Sequence, residues 1–171
     1  MKRLLGLLVL LLVAAVAWVG VRGFLAYGHA RDAAAGLQKM RAAIEAGDIA
    51  TARSDLGYVQ DDTRAAARLT SDPVWQAFGA FPFGGQNFAA VTTAAQASNQ
   101  VTLQGIPALL DAAAGLAQFG DGLQAGEVDP GALQGTVDGV TRADASLAAA
   151  RQQVEAIDRT YLLPPVERGV D

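Results

Sequence analysis

The chain of 171 residues carries 13 Lys plus Arg against 17 Asp plus Glu, one His and no Cys. With Lys2 and Arg3 set aside, the remainder holds 11 basic against 17 acidic residues, which argues against nucleic acid and anionic lipid headgroups as partners, since both call for clustered Lys and Arg. The lack of cysteine excludes disulfide staples and thiolate metal sites, so stability has to come from packing.

Lys2 and Arg3 precede an uncharged, mostly apolar run from Leu4 to Val21 that ends at Arg22. A helix of roughly 20 apolar residues crosses a hydrocarbon core of about 30 Å, so residues 4–21 are expected to lie in the lipid bilayer. The cationic pair marks the cytoplasmic side, with Trp18, Phe24 and Tyr27 at the far interface. A cleaved secretory signal ending at Ala15-Val16-Ala17 is the competing reading, with release from the membrane as its consequence. The run continues past Ala17 through Val21, which a signal does not need and a spanning helix does. Residues 1–23 are therefore expected to be a signal-anchor transmembrane helix, and the part after them to be extracytoplasmic.

The roughly 150 residues after Val21 suffice for one domain with a core. They are rich in Ala, which has the highest helix propensity and permits close helix contact. Ala26, Ala30, Ala33, Leu37, Met40 and Ile44 recur at 3–4 spacing, predicting a helix over about 24–46 that runs on from the span and ends at Gly47. Asp48 is placed to cap a second helix over about 49–70, whose stripe is Ile49, Ala52, Leu56, Val59 and Ala66. The short turn between them predicts a helical hairpin.

Thr70-Ser71-Asp72-Pro73 is the next break, and Asp before Pro signals a helix start. A short segment from Val74 to Phe81 closes at Pro82-Phe83-Gly84-Gly85. A long helix is predicted over about 86–119, kinked or divided at Pro107, with a Gly-rich loop from Gly120 to Gly126 after it. Asp129-Pro130 repeats the start signal. The last helix, about 130–162, carries the stripe Leu133, Val137, Val140, Ala143, Leu147, Ala150, Val154, Ile157 and Tyr161 as its expected core face. Pro164-Pro165 opens a Pro-rich tail over 164–171. The predicted fold class is all-α: a transmembrane helix followed by an elongated antiparallel four-helix bundle over residues 24–163.

No nucleophile-base, zinc, phosphate-loop or dinucleotide motif is present, so no catalytic, cofactor-binding or metal-ligating residue is assigned. His29 reads as a solvated stem residue. Asp61-Asp62 and the acidic residues Asp121, Glu127 and Asp129 read as helix-cap or solvated carboxylates, because their spacing does not match a calcium loop. Trp75, Phe78, Phe81, Phe83 and Phe88 crowd five aromatic rings into one short stretch. They form either a plug for an irregular turn in a core of Ala and Leu, the favoured reading, or a candidate interaction surface.

The order of features resembles the N-terminal part of the family called domain of unknown function 4012, membrane-anchored envelope proteins of actinobacteria. The residues carrying the resemblance are the basic start and span, Ala46-Gly47-Asp48, Asp72-Pro73-Val74-Trp75, Phe81-Pro82-Phe83-Gly84-Gly85, the long Ala-rich helix, and Leu162-Leu163-Pro164-Pro165-Val166. In that family the helical part is followed by a module similar to cell-wall glycopolymer transferases, and this sequence holds no catalytic motif of that module. The expected function is a non-enzymatic spacer or interaction scaffold in the cell envelope, with an envelope protein or glycan as partner. The alternatives are a small-ligand-binding or sensory bundle, and an accessory component of envelope glycopolymer assembly.

Overall fold

The computed structural model describes residues 2–82, 84–126 and 130–170. It is all-helical, with no strand among the described residues. The first helix, α1 (Lys2–Glu45), is continuous and includes the whole apolar run, which is long and apolar enough to cross a membrane. Most of that run faces away from the rest of the protein. Val19 is buried, and the next buried positions are Ala26, Ala33 and Met40 at seven-residue intervals.

The end of α1 follows from local chemistry. Gly47 takes the left-handed conformation (φ 77°), and the amides of Gly47 and Asp48 donate to the carbonyls of Ile44 and Ala43, closing the orphan carbonyls of the last turn. Asp48 then caps α2 (Ile49–Leu69), its carboxylate accepting from the Thr51 amide at 2.9 Å and the Thr51 hydroxyl at 2.7 Å. Along the α1 and α2 contact the register descends on one helix as it climbs on the other. Gly36 meets Val59, His29 Nδ1 lies 2.8 Å from Asp62 Oδ1, and Arg22 donates to the Leu69 carbonyl at 3.3 Å.

Asp72 caps the short α3 (Pro73–Gly79) by accepting from the amides of Val74 and Trp75. After the turn come α4 (Gly85–Gln100), a π-helical turn (Val101–Gly105) and α5 (Ile106–Ala125). The π turn is the local answer to Pro107, which lacks an N–H and crowds the carbonyl four residues back; the wider turn lets Ile106 N–H reach the Val101 carbonyl. The helix then runs through the predicted loop at 120–125, where Gly120 and Gly122 keep helical backbone and neither takes the positive φ that would break it. It ends at Gly126, where φ is 80°.

The core brings Ala33, Met40, Ala52, Leu56, Val59 and Leu110 together, from α1, α2 and α5. Its polar layer lies at the π turn, where the buried hydroxyls of Thr63 and Thr102 are 2.8 Å apart and Gln60 donates to the Thr102 carbonyl.

Two features of α6 (Pro130–Glu155) differ from the sequence expectation. It ends at Glu155 rather than near 162, and residues 156–163 turn through Asp158, which accepts from the Thr160 amide, and through Tyr161 at φ 62°. A short α7 (Pro164–Val170) occupies the predicted tail. The buried face of α6 is Gly139, Ala143, Ser146 and Ala150, while Leu133, Val137, Val140 and Leu147 are about half exposed. The reason is the closeness of the α5 and α6 backbones: a Cβ on Gly139 would lie 2.8 Å from the Ala108 carbonyl oxygen, and one on Gly115 3.2 Å from that of Ala132. Only small residues fit such a seam, so the larger ones of the stripe are displaced to its flank. Phe83, Glu127 and Asp129 lie outside the described residues.

Candidate functional site

The aromatic segment forms a shoulder where α3 meets α4. Trp75 is 5% exposed, with its ring edge-on to Phe88 at 5.1 Å between centroids. Phe78 links Phe88 and Phe81 at 5.7 and 5.9 Å. Burial of the indole requires a partner for its N–H, and Nε1 donates to the Thr92 hydroxyl at 3.0 Å and to the Phe88 carbonyl at 3.3 Å. Thr92 in turn donates to the Thr70 carbonyl at 2.7 Å, tying α4 to the end of α2. Gly85 permits the sharp crossing: a Cβ there would collide with the Gly79 carbonyl. Phe81 is 61% exposed. Trp75 is thus the buried end of the cluster and Phe81 its solvent end.

Beside this shoulder is an apolar groove of about 530 Å³, lined by Trp75, Phe88, Val91, Tyr161, Leu163 and Val166. Sequence reasoning places the first two residues in a candidate surface and misses the others. The device that brings them in is Asn87, whose carboxamide donates to the Tyr161 carbonyl at 3.2 Å and accepts from the Leu163 amide at 2.7 Å. That side chain holds the crossing segment 161–163 against the start of α4. An Asn near the start of an Ala-rich helix is a weak signal, and nothing local distinguishes Asn87 from Asn99 of the same helix.

The shoulder is also fastened to α1. Arg22 donates to the carbonyls at the C-terminus of α2, lies 3.3 Å from the Asp72 carboxylate and sits 4.9 Å over the Trp18 ring. A cation at a helix C-terminus is favourable because the free carbonyls there carry partial negative charge. Next to it the Trp75 ring packs alongside Gly23, its carbons 3.5–3.6 Å from where a Cβ would stand, an ordinary packing distance.

The remaining polar candidates are structural in their surroundings. His29, expected to be solvated, is half-buried and bridges α1 to Asp62 of α2, while Asp61 pairs with Arg64 at 2.7 Å. A second groove of about 440 Å³, of mixed polar and apolar lining, runs past Arg53, Asp111, Gln118 and Arg142, with Arg53 and Asp111 paired at 2.8 Å. Among the described residues no group of three or more His, Asp or Glu is arranged to hold a metal ion. No protein-family model, curated protein or solved structure matches the chain.

Proposed function

We propose that this protein is a non-enzymatic, membrane-anchored helical module that acts as a spacer or interaction scaffold on the outer side of the membrane, in the cell envelope. The observation that carries the reading is the continuity of α1: one helix supplies both the outward-facing apolar run and, through Ala26, Ala33 and Met40, a wall of the helical core. A span welded in this way to an antiparallel four-helix bundle holds the bundle at a set position above the bilayer. The resemblance to the domain of unknown function 4012 family favours the same placement and an envelope protein or glycan as partner.

The full-length chain, expressed in its host, is expected to resist alkaline extraction from membranes and to retain the peptide from Met1 to Arg22 by mass spectrometry. A mature protein beginning at Trp18 and recovered in the medium would overturn the anchor. A small-ligand-binding role is the second reading, favoured by the apolar groove beside Asn87. Protection of Phe88 and Leu163 backbone amides by a soluble apolar compound, measured by hydrogen exchange, would support it.

A further inference from the structure

The apolar run and the aromatic shoulder are not separated along α1. Val19, two residues inside the run, is buried at 7% exposure while its neighbours Trp18 and Val21 are more than half exposed. Arg22, one residue past the run, is bonded to the end of α2 and to Asp72, and the Trp75 ring lies alongside Gly23, 3.5–3.6 Å from where a Cβ would stand. The α2–α3 junction and the shoulder therefore lie level with the last turn of the run. When Leu4 to Val21 cross a bilayer, that level is the headgroup and upper acyl region, where Trp18 and Arg22 are chemically suited to sit.

What the protein presents at this level is apolar. Neither 73–91 nor 161–166, the stretches that build the shoulder and groove, contains Asp, Glu, Lys, Arg or His, and charge returns at the flanks of the second with Arg159 and Glu167. Val74, Phe81, Tyr161 and Leu163 are 36%, 61%, 70% and 58% exposed, and the groove of Trp75, Phe88 and Val91 opens among them. The one carboxylate at the junction, Asp72, is neutralised by Arg22 and by its helix-cap bonds. In water such a surface is an uncovered liability, whereas at the acyl boundary it is complementary to its surroundings.

We infer that the shoulder, comprising α3, the turn at 80–82, the start of α4 and the segment 161–166, is seated in the outer bilayer interface, with acyl chains of bilayer lipid filling the groove. The helical module rests on the membrane as well as being tethered to it. This inference rests on the anchor reading above, and its test separates the two.

The absence of cysteine permits single-site spin labelling of the full chain in phosphatidylcholine–phosphatidylglycerol vesicles. Labels are placed at L12C in the run, at F81C and Y161C on the shoulder, and at Y58C on the exposed face of α2. All four side chains are exposed, so labelling leaves the core intact. Collision with oxygen is compared with collision with a water-soluble nickel chelate. A membrane-seated shoulder gives preferential oxygen collision at 81 and 161, intermediate between a deep signal at 12 and an aqueous one at 58. A deep signal at 12 with 81 and 161 indistinguishable from 58 overturns the seating and leaves the anchor standing. An aqueous signal at 12 overturns the anchor and the seating together.

Discussion

Trp75 concentrates the demands of the shoulder on one side chain. Its ring closes the gap between α1, α3 and α4, and its N–H is satisfied within the same few residues, so the packing has no cheaper substitute. Trp75→Ala is expected to lower stability by about 3–5 kcal/mol, as for other buried aromatics, measured by chemical unfolding of the detergent-solubilised chain. Phe81→Ala, at the exposed end of the same cluster, is expected to change it little. Asp48 provides a pH-dependent contribution. The hydroxyl of Thr51, then its amide, bond the Asp48 carboxylate and hold its pKa below the usual carboxylate range. A group whose pKa is depressed by folding stabilises the fold above its unfolded pKa and loses that contribution as pH falls through the folded one. Thermal unfolding from pH 6 to pH 3 is expected to show a smaller loss in Asp48→Asn than in the parent. Both caps, Asp48 and Asp72, are legible in the sequence because a cap bonds amides two or three residues away. Asn87 is not legible, since its partners lie 74 and 76 residues further along and no local pattern announces them.

At the scale of elements, glycines in α6 discriminate between propensity and packing. Gly135 faces open space, whereas a Cβ on Gly139 would meet the Ala108 carbonyl oxygen and Ala112. Gly135→Ala is expected to stabilise the protein by about 0.5–1 kcal/mol, through the lower entropy cost of ordering Ala in a helix. Gly139→Ala is expected to destabilise it by about 1–3 kcal/mol by forcing α5 and α6 apart, despite the same gain in propensity. The paired melting curves check both, and a Gly139→Ala protein as stable as the parent would mean the seam is looser than its geometry. Leu147, 48% exposed beside that seam, is expected to tolerate Ala with a loss below about 1 kcal/mol. The 3–4 stripe identifies α6 as a helix and includes two of its buried residues, Ala143 and Ala150, but it sets Leu133, Val137, Val140 and Leu147 in the core where they are about half exposed. Periodicity reports which residues share a side; it does not report that the neighbouring backbone comes too close for Leu. Gly139 and Ser146 complete the buried face at equally regular spacing with Ala143 and Ala150, and in an Ala- and Gly-rich chain they do not stand out against the background. The ends of α2 and α3 are legible for the opposite reason, each being set by a cap or a Pro within one turn.

For the whole molecule, the all-helical class and the apolar N-terminal helix are written in composition and in one contiguous run of residues, so both can be read without a structure. The shoulder and groove are assembled from α1, α3, α4 and the segment after α6, and that convergence is a product of tertiary packing. Deleting residues 2–17 while keeping Val19 and Arg22 is expected to move the protein from the membrane to the soluble fraction with its helical circular dichroism retained; loss of the helical signal would show that the run is needed for folding. The unbroken course of α1 has a mechanical consequence. From Arg22 to Glu45 it rises roughly 35 Å at 1.5 Å per residue, with no Pro and no break in its hydrogen-bond ladder at which to bend. A domain on a flexible tether sweeps a hemisphere, but if the apolar run spans a bilayer as proposed, one on such a mast keeps a single altitude and turns only as its span turns in the membrane. Its far tip then behaves as a gauge of height, meeting whatever lies at that distance from the bilayer and passing beneath whatever lies beyond it.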